Sequence, residues 1–495
     1  MSLQQKTING VKWNLLSTIS TTLFGIILLW VLSHIFTPTQ YGVISATIII
    51  SNFCNMLLDF GISNSIIRSD NVTKKELNSL YILNVIIGFF IFITVFLLSD
   101  KISNLFNASE GLATQIKLVS FGFIISAFTL QPKAIMNKEL LFNHLSIITI
   151  LTNIVNFIFS ISLAYFYHSV WCVALAFIIS NFFNMILTNY ISKANKLNDF
   201  SFQFDIHSIC KHIKYGSQLV LDSFINQISI NSYPVLMSRL VSLAAIGGYN
   251  ISYSISIALF ERLNPVLSHA LFPAFSRIKQ DDTKLSHNFL KVTCFASLVN
   301  FPILLGMFTI SDYVVDVFFD PKWGFITPIV SILCWTGVIR SLDVPVIAIL
   351  LVRAKMYMNI YLGFFKLLIG LPLAWYLGSK YSITGIVLSF LIVQLFNTFC
   401  AMIFIIRPIL NISALTYLRT LSIPFLTCLP MIILSELLKR FLLNFYFPNH
   451  PLFNMMVIIL FSISIFLISI FLNPIREIKE FKGVLIGNIL GKGKL

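Results

Sequence analysis

The sequence predicts an all-α membrane protein that crosses the bilayer about 14 times. Two six-helix lobes are expected, as parallel repeats, followed by two extra helices. Of the 495 residues, 57% are hydrophobic and only 11% are charged, whereas soluble domains carry about 25% charged residues. Apolar runs as long as a spanning helix requires, about 20 residues, recur along the chain. Segments of the first half also align with segments of the second half.

Apolar runs bounded by polar or turn residues give the individual spans. The first lobe contains spans at 13–34, 42–59, 79–99, 115–136, 145–167 and 170–191. The second lobe contains spans at 215–238, 247–270, 291–311, 325–352, 357–378 and 383–406. Two further spans lie near 419–440 and 453–473. The predicted domains are a first lobe, a cytoplasmic linker, a second lobe, two extra spans and a basic cytoplasmic tail, at 1–198, 199–214, 215–410, 411–473 and 474–495.

The formal net charge of +15 indicates orientation, because Lys and Arg accumulate in the cytoplasmic loops of membrane proteins. With the N-terminus in the cytoplasm, about 25 of the 34 Lys and Arg residues fall on that side and about seven on the other. We therefore expect a multi-pass protein of the cell inner membrane with both termini in the cytoplasm. No basic tract interleaves with aromatic residues as a nucleic-acid surface would, so no nucleic-acid partner is expected.

The two halves of the chain repeat. The segment SVWCVALAFIISNFFN (169–184) aligns without gaps on SITGIVLSFLIVQLFN (382–397), an offset of 213 residues. The same offset places Pro132 opposite Pro345, and a slightly smaller one aligns SHIFTPTQYG with SRLVSLAAIG, which matches Gly42 with Gly247. Because six is even, the two lobes would share one orientation in the membrane. That is the architecture of an alternating-access carrier.

Charged residues fall inside the predicted spans of the second lobe, where they mark a functional site by default. Arg340 and Asp343 lie near the middle of span 325–352, just before Pro345. Lys366 lies about nine residues into the next span. The remaining intramembrane charges are Asp222, Glu261 and Arg262. The eight histidines have no metal-ligand spacing, and there is no nucleotide-binding loop, so neither a metal nor a cofactor is expected.

Several segments resemble the WzxC and teichuronic-acid type of polysaccharide exporter, within the multidrug/oligosaccharidyl-lipid/polysaccharide exporter superfamily. They are NGVKW, TPTQYGVISA, LDFGISNSIIRSD, NPVLSHALFPAFSRIKQDDTKL and FPILLGMFTISDYVVDVFFDPKWGFITPIV. The resemblance covers about 1–410. It implies two six-helix lobes and the movement of lipid-linked glycans, typically on undecaprenyl pyrophosphate, to the outer leaflet for surface polysaccharides such as capsule, O-antigen or lipopolysaccharide. Its partners would be the lipid-linked glycan, membrane lipid, and the glycan polymerase and glycosyltransferases of the same pathway.

For such a substrate, the expected binding residues are Arg340 and Lys366, with Arg262, because a pyrophosphate or acidic sugar requires positive charge where it is desolvated. Asp343, Asp222 and Glu261 would then couple a proton or sodium ion, or act as counter-charges. The alternative is structural. Arg340 would pair with Asp343 along one helix face, Lys366 with Asp222 or Glu261, and Arg262 would extend to the interface.

Two other functions stay open from the sequence. A drug/cation antiporter of the same superfamily would share the fold, but would favour an acidic cavity. A membrane glycan polymerase or glycosyltransferase would carry a sizeable polar catalytic loop, and no connection here exceeds about 25 residues. For a carrier, the lipid tail would stay in the bilayer, in a groove formed by the last two spans.

Overall fold

The computed structural model describes most of the chain and divides it into two compact units, Met1–Asn250 and Ile251–Leu495. The described residues are 3–69, 72–108, 110–195, 205, 224–225, 227–257, 275–443, 447, 450–475, 477–480 and 482–483. The predicted linker at 199–214 lies outside them except for Asp205. The predicted lobe boundaries therefore stay a prediction.

In the first unit, long helices pack side by side, α4 against α5 and α6 against both α1 and α7. Two of them begin at threonine caps: Thr37 and Thr73 each accept a hydrogen bond from a backbone N–H, and a Gln or Glu returns the bond. The helices are α1 (Leu3–Ile35), α2 (Pro38–Asp59), α3 (Ile62–Arg68), α4 (Lys74–Leu105), α5 (Glu110–Lys138), α6 (Phe142–Tyr167), α7 (Trp171–Ala194) and α8 (Leu243–Ser256). The unit boundary falls inside α8.

The second unit packs α9 against α11 and α14, and α11 against α13. Its helices are α9 (Asp282–Thr309), α10 (Ser311–Phe318), α11 (Thr327–Arg340), α12 (Asp343–Val352), α13 (Tyr357–Ala401), α14 (Ala414–Leu438) and α15 (Pro451–Leu472). Short helical turns at Pro321–Ile326, Met402–Ile406, Arg407–Leu410 and Lys439–Leu443 connect or extend them. Every described element is helical.

The helices confirm the all-α membrane fold. Among the described residues, 11 segments are long and apolar enough to cross a membrane. One of them, Tyr357–Leu410, turns at Tyr381 and Ser382, where the backbone leaves helical geometry. It therefore contains the two spans predicted at 357–378 and 383–406. Spans 215–238 and 247–270 are described only in part, at 224–225, 227–238 and 247–257.

Helices α2 and α8 cross at two glycines. A Cβ added to Gly42 would lie 2.0 Å from the carbonyl oxygen of Leu243, and one added to Gly247 would lie 2.8 Å from that of Pro38. No other residue type fits at either position without separating the helices. At the same end of this unit, Arg239 donates hydrogen bonds to the carbonyl oxygens of Leu105 and Asn104, at the end of α4.

The beginning of the predicted basic tail is docked on the second unit. Ile478 is fully buried in a cluster with Cys294 and Leu298 of α9. Glu480 forms a 2.7 Å ion pair with Lys291. This part of the tail is therefore held by protein contacts.

Candidate functional site

The helix that carries Arg340 and Asp343 is broken between them. Pro345 lacks an N–H, and its ring would collide with the carbonyl group of Ser341, four residues earlier, in a continuous helix. The chain instead makes a tight turn, in which the N–H of Leu342 bonds the carbonyl oxygen of Ile339 at 3.1 Å. Pro345 then lies in the first turn of α12, where an N–H has no helical partner in any case.

The break places the two charges at complementary helix ends. Arg340 is the last residue of α11, and Asp343 is the first residue of α12. A cation is favoured at a helix C-terminus and an anion at an N-terminus, because of the helix dipoles. By contrast, α5 continues through Pro132, the proline that the repeat aligns with Pro345. The break is thus a feature of the second half.

Each charge is held by a side chain of another helix. The Arg340 Nη1 donates to the Tyr253 hydroxyl of α8 at 3.0 Å. The Asp343 Oδ2 accepts from the Gln394 Nε2 of α13 at 2.8 Å. Both charged side chains are half-buried. Each of these two hydrogen bonds therefore joins α11 or α12 to another helix.

Lys366 lies close to this pair. It is half-buried on the first half of α13, and its ammonium is within electrostatic range of both Asp343 and Arg340. Three of the six residues expected at the site, Arg340, Asp343 and Lys366, therefore lie within electrostatic range of one another. Arg262, Asp222 and Glu261 lie outside the described residues.

Two buried polar side chains on α13 and α14 were not anticipated. Asn397 lies one turn after Gln394 and is 6% exposed, and Tyr417 of α14 is 1% exposed. Within the described part of the chain, neither the Asn397 Oδ1 nor the Tyr417 hydroxyl has a hydrogen-bond partner. Tyr417 is within electrostatic range of Asp343. The identity of Asn397 with Asn184 in the repeat was the one sequence signal for Asn397, and Tyr417 had none.

The repeat offers an internal comparison for these polar groups. The offset of 213 residues aligns Asn181 with Gln394, Asn184 with Asn397, and Thr188 with Ala401. Asn181 accepts a 3.4 Å hydrogen bond from Ser126 of α5, so a polar link between the fourth and sixth spans occurs in both halves. Asn184 accepts from the Thr188 hydroxyl at 3.0 Å. Since alanine replaces Thr188 in the second half, Asn397 lacks the equivalent donor.

An apolar cavity of about 560 Å³ lies between α8, α9, α14 and α15. Ile303 and Ile463, which line it, are 48% and 52% exposed, so it opens on the side of the helices. Another lining residue, Leu304, packs on Gly337 of α11, one turn before Arg340. The cavity and the charged cluster therefore border the same helix.

Similar proteins place this chain in a family. The family model for "polysaccharide biosynthesis protein" matches residues 31–328. The lipopolysaccharide biosynthesis protein WzxC of Escherichia coli K12 is 32% identical over 435 residues, 88% of each chain. The teichuronic acid biosynthesis protein TuaB of Bacillus subtilis is 25% identical over 437 residues, 88% of this chain and 89% of its own.

Solved structures show the same fold. A structure of the lipid II flippase MurJ in an inward closed conformation has a TM-score of 0.72, at 15% identity, and covers 96% of this chain and 99% of its own. An inward-facing multidrug MATE transporter of the MOP superfamily has a TM-score of 0.66, at 15% identity, over 80% of this chain and 96% of its own. The resemblance seen in the sequence is confirmed: this multi-pass membrane protein belongs to the polysaccharide biosynthesis protein family.

Proposed function

We propose that the protein is a flippase that moves a lipid-linked oligosaccharide or polysaccharide repeat unit from the cytoplasmic to the outer leaflet. The carrier lipid would be a polyprenyl pyrophosphate, and the protein would work by alternating access without covalent chemistry. The observation that carries this proposal is the pair Arg340 and Lys366 around Asp343, inside a membrane fold of the polysaccharide family. The names of the relatives, in lipopolysaccharide and teichuronic acid biosynthesis, support a glycan as cargo.

The charged cluster suits an anionic headgroup. An arginine side chain binds two phosphate oxygens at once through its planar guanidinium, and a lysine adds a compact charge. By residue type, the described cluster contains two basic side chains, Arg340 and Lys366, and one carboxyl group, Asp343. A drug/cation antiporter would instead require an excess of negative charge to hold its cargo. The cluster therefore favours the glycolipid.

The apolar cavity suits the lipid chain of the same molecule. Its lining is almost entirely aliphatic and aromatic, with Ser256 and Ser462 as exceptions. It opens sideways, where the surrounding bilayer would supply and receive the chain. Because the lining residue Leu304 packs on Gly337 of α11, the helix that ends at Arg340, one substrate could place its headgroup at the cluster and its chain in the cavity.

The proposal also covers the orientation of the protein in the membrane, the coupling ion and the neighbouring enzymes. Both termini would lie in the cytoplasm, in the inner membrane, as the distribution of Lys and Arg indicates. A proton or sodium ion would couple transport through Asp343, with Asp222 and Glu261 as further candidates and Arg262 as a third cation for the substrate. Glycosyltransferases would supply the substrate, and a glycan polymerase would consume it.

The test uses cells that lack the protein and receive variants of it. Arg340→Ala and Lys366→Ala should abolish surface glycan and cause the lipid-linked glycan to accumulate on the inner leaflet, at normal membrane levels of the protein. Arg419→Ala removes an exposed cation from α14 and serves as the matched control. It should export normally. Normal export from both site variants would refute the site, and accumulation of no lipid-linked glycan in the deletion strain would refute the function.

A further inference from the structure

We propose that the first part of the tail after α15 is a strap that sets which length of lipid chain the apolar cavity prefers, with Ile478 as the residue that fixes the limit. The strap consists of the described residues 473–475, 477–480 and 482–483. This inference rests on the proposed function, because the chain in the cavity is that of the lipid-linked substrate.

Polar contacts attach the strap to two helices. The Lys482 ammonium donates to the carbonyl oxygen of Phe471 at 2.7 Å. This carbonyl lies in the last turn of α15, where carbonyl groups have no helical partner. The Glu480 carboxylate pairs with the Lys291 ammonium of α9 at 2.7 Å. The strap therefore connects the end of α15 to the first half of α9.

Ile478 is the apolar anchor of the strap. It is fully buried in a cluster with Cys294 and Leu298 of α9, Ile423 of α14 and Ile470 of α15. Three helices thus meet around one side chain of the strap. Its burial offsets the conformational entropy that is lost when the strap becomes ordered.

The cluster around Ile478 also forms one end of the apolar cavity. Leu298, Ile470 and Phe466 belong to the packing around Ile478 and line the cavity as well. Ile478 is not among the lining residues, so it supports this end of the wall from behind. Along α9 the lining runs from Leu298 to Ile310, about 18 Å at 1.5 Å per residue. The cavity therefore has a defined length, and the strap lies behind one end of it.

The two ends of the cavity are closed differently. At the Ile310 end, α10 follows directly after α9 and packs on α15, where Tyr313 and Val314 share a buried cluster with Met455 and Ile458. That end is closed by helices that are continuous with the walls. Along the rest of the cavity, α9 and α15 both pack on α14 and touch each other only slightly. Closure of the opposite end therefore depends on the strap.

This arrangement gives the cavity a preferred chain length. A chain that moves from the bilayer into the cavity leaves an equally apolar environment, so the fit of the chain decides its affinity. A chain longer than the cavity must displace Leu298 or Ile470, or bend out through the open side. Close packing prevents these two side chains from moving while Ile478 fills the space behind them. Ile478 therefore acts on chain length through its neighbours and does not touch the chain.

The experiment measures affinity as a function of chain length. The purified full-length protein in lipid nanodiscs is titrated with a series of prenyl-pyrophosphoryl N-acetylglucosamines of increasing chain length. The wild type should show an optimum length, and its affinity should fall by about tenfold for chains that exceed it. In Ile478→Ala the optimum should move to longer chains, because the neighbouring side chains can turn into the vacated space. The ratio of long-chain to short-chain affinity should then rise by about tenfold.

Ile405→Ala is the matched control for the loss of a buried isoleucine side chain. Ile405 is 1% exposed and lies in another buried cluster of the second unit. Its truncation should lower the Tm about as much as Ile478→Ala does, since both leave a cavity. The ratio of long-chain to short-chain affinity should stay as in the wild type.

A milder variant loosens the strap without altering the cavity wall. Glu480→Lys places two ammonium groups together and removes a partly exposed ion pair. Hydrogen exchange at the Lys479 N–H, which bonds the carbonyl oxygen of Ile475 at 3.0 Å, should become faster by about threefold. The affinity ratio should shift in the same direction as in Ile478→Ala, by a smaller factor. Combining Glu480→Lys with Lys291→Glu restores an ion pair and should reverse both changes.

The outcomes separate this inference from the proposed function. An affinity ratio that changes equally in Ile478→Ala and Ile405→Ala, or in neither, would overturn the role of the strap while the flippase stands. Unchanged exchange at Lys479 in Glu480→Lys would overturn the attachment of the strap through its ion pair. Absence of an optimum chain length in the wild type would overturn both this inference and the placement of the chain in the cavity. Failure of the wild type to bind any of the probes would overturn the proposed function as well.

Discussion

Gly42 and Gly247, which match each other in the internal repeat, pack directly against each other where α2 crosses α8. Neither position has room for a side chain, because backbone atoms of the opposite helix fill the space. Helical glycines otherwise weaken a helix by about 1 kcal/mol relative to alanine. The close crossing explains why glycine occurs at both positions.

Gly42→Ala should therefore lower stability, by about 1–3 kcal/mol, since overpacking against a backbone oxygen cannot be relieved by a side-chain rotation. Thermal unfolding of the purified protein measures this. Gly111→Ala is the control, because nothing lies within 4 Å of a Cβ at that position, and it should be neutral or slightly stabilising. Similar losses of stability in Gly42→Ala and Gly111→Ala would show that the close helix crossing does not cause the loss.

Filling the apolar cavity should select against long lipid chains. Ile463→Trp places a larger side chain in the lining. We expect about tenfold weaker binding of a long-chain prenyl-pyrophosphoryl sugar, equivalent to about 1.4 kcal/mol, and unchanged binding of a short-chain one. Leu460→Trp, on the exposed face of the same helix, is the control and should affect neither. If both chain lengths lose affinity equally, the chain does not lie in this cavity.

The two tyrosines near the cluster should respond differently to loss of their hydroxyl groups. Tyr417→Phe removes a buried hydroxyl without a described partner, so stability should stay the same or rise by about 1 kcal/mol. Tyr253→Phe removes the hydroxyl that accepts from Arg340 and should lower stability by a similar amount. Thermal unfolding of the two variants under one condition decides this. A larger loss from Tyr417→Phe would mean that its hydroxyl is bound in the folded protein.

Asp281, the N-cap residue of α9, should make a pH-dependent contribution to the stability of the fold. Hydrogen bonds from the Thr283 side chain and the Lys284 backbone, with the Lys284 ammonium, hold the pKa of Asp281 well below its usual range. A depressed pKa stabilises the fold at pH values above about 4, the ordinary value, and this contribution is lost as the pH falls below it. Asp281→Ala should lower the Tm at neutral pH, and the difference from wild type should narrow in acid. Asp281→Asn keeps the cap without the charge and should lose less. A difference that stays constant with pH would contradict the role of the charge.

Much of the fold could be predicted because the bilayer imposes it. A helix must be apolar for about 20 residues to cross the membrane, and this constraint is visible in each run of the sequence. The same rule made Arg340, Asp343 and Lys366 conspicuous, since each interrupts such a run. The break at Ser341 and Leu342 was also foreseeable from Pro345, whose ring acts on its immediate neighbours.

The partners of these charges could not be predicted. Gln394 and Tyr253 reach Asp343 and Arg340 from α13 and α8, and no local pattern links residues so far apart in the chain. Glutamine and tyrosine are uncharged, so neither marks its apolar run as plainly as Arg340 and Asp343 do. The Asn397 Oδ1 has no partner among the described residues. In the sequence, only the repeat indicates this, because Ala401 stands where the first half has Thr188.

The difference between Thr188 and Ala401 shows how one side chain sets the surroundings of a neighbouring polar group. The first half has Thr188, whose hydroxyl bonds Asn184, whereas the second half has Ala401, and the Asn397 Oδ1 has no partner among the described residues. Divergence between the copies thus provides a polar group inside the membrane without the insertion of a new one.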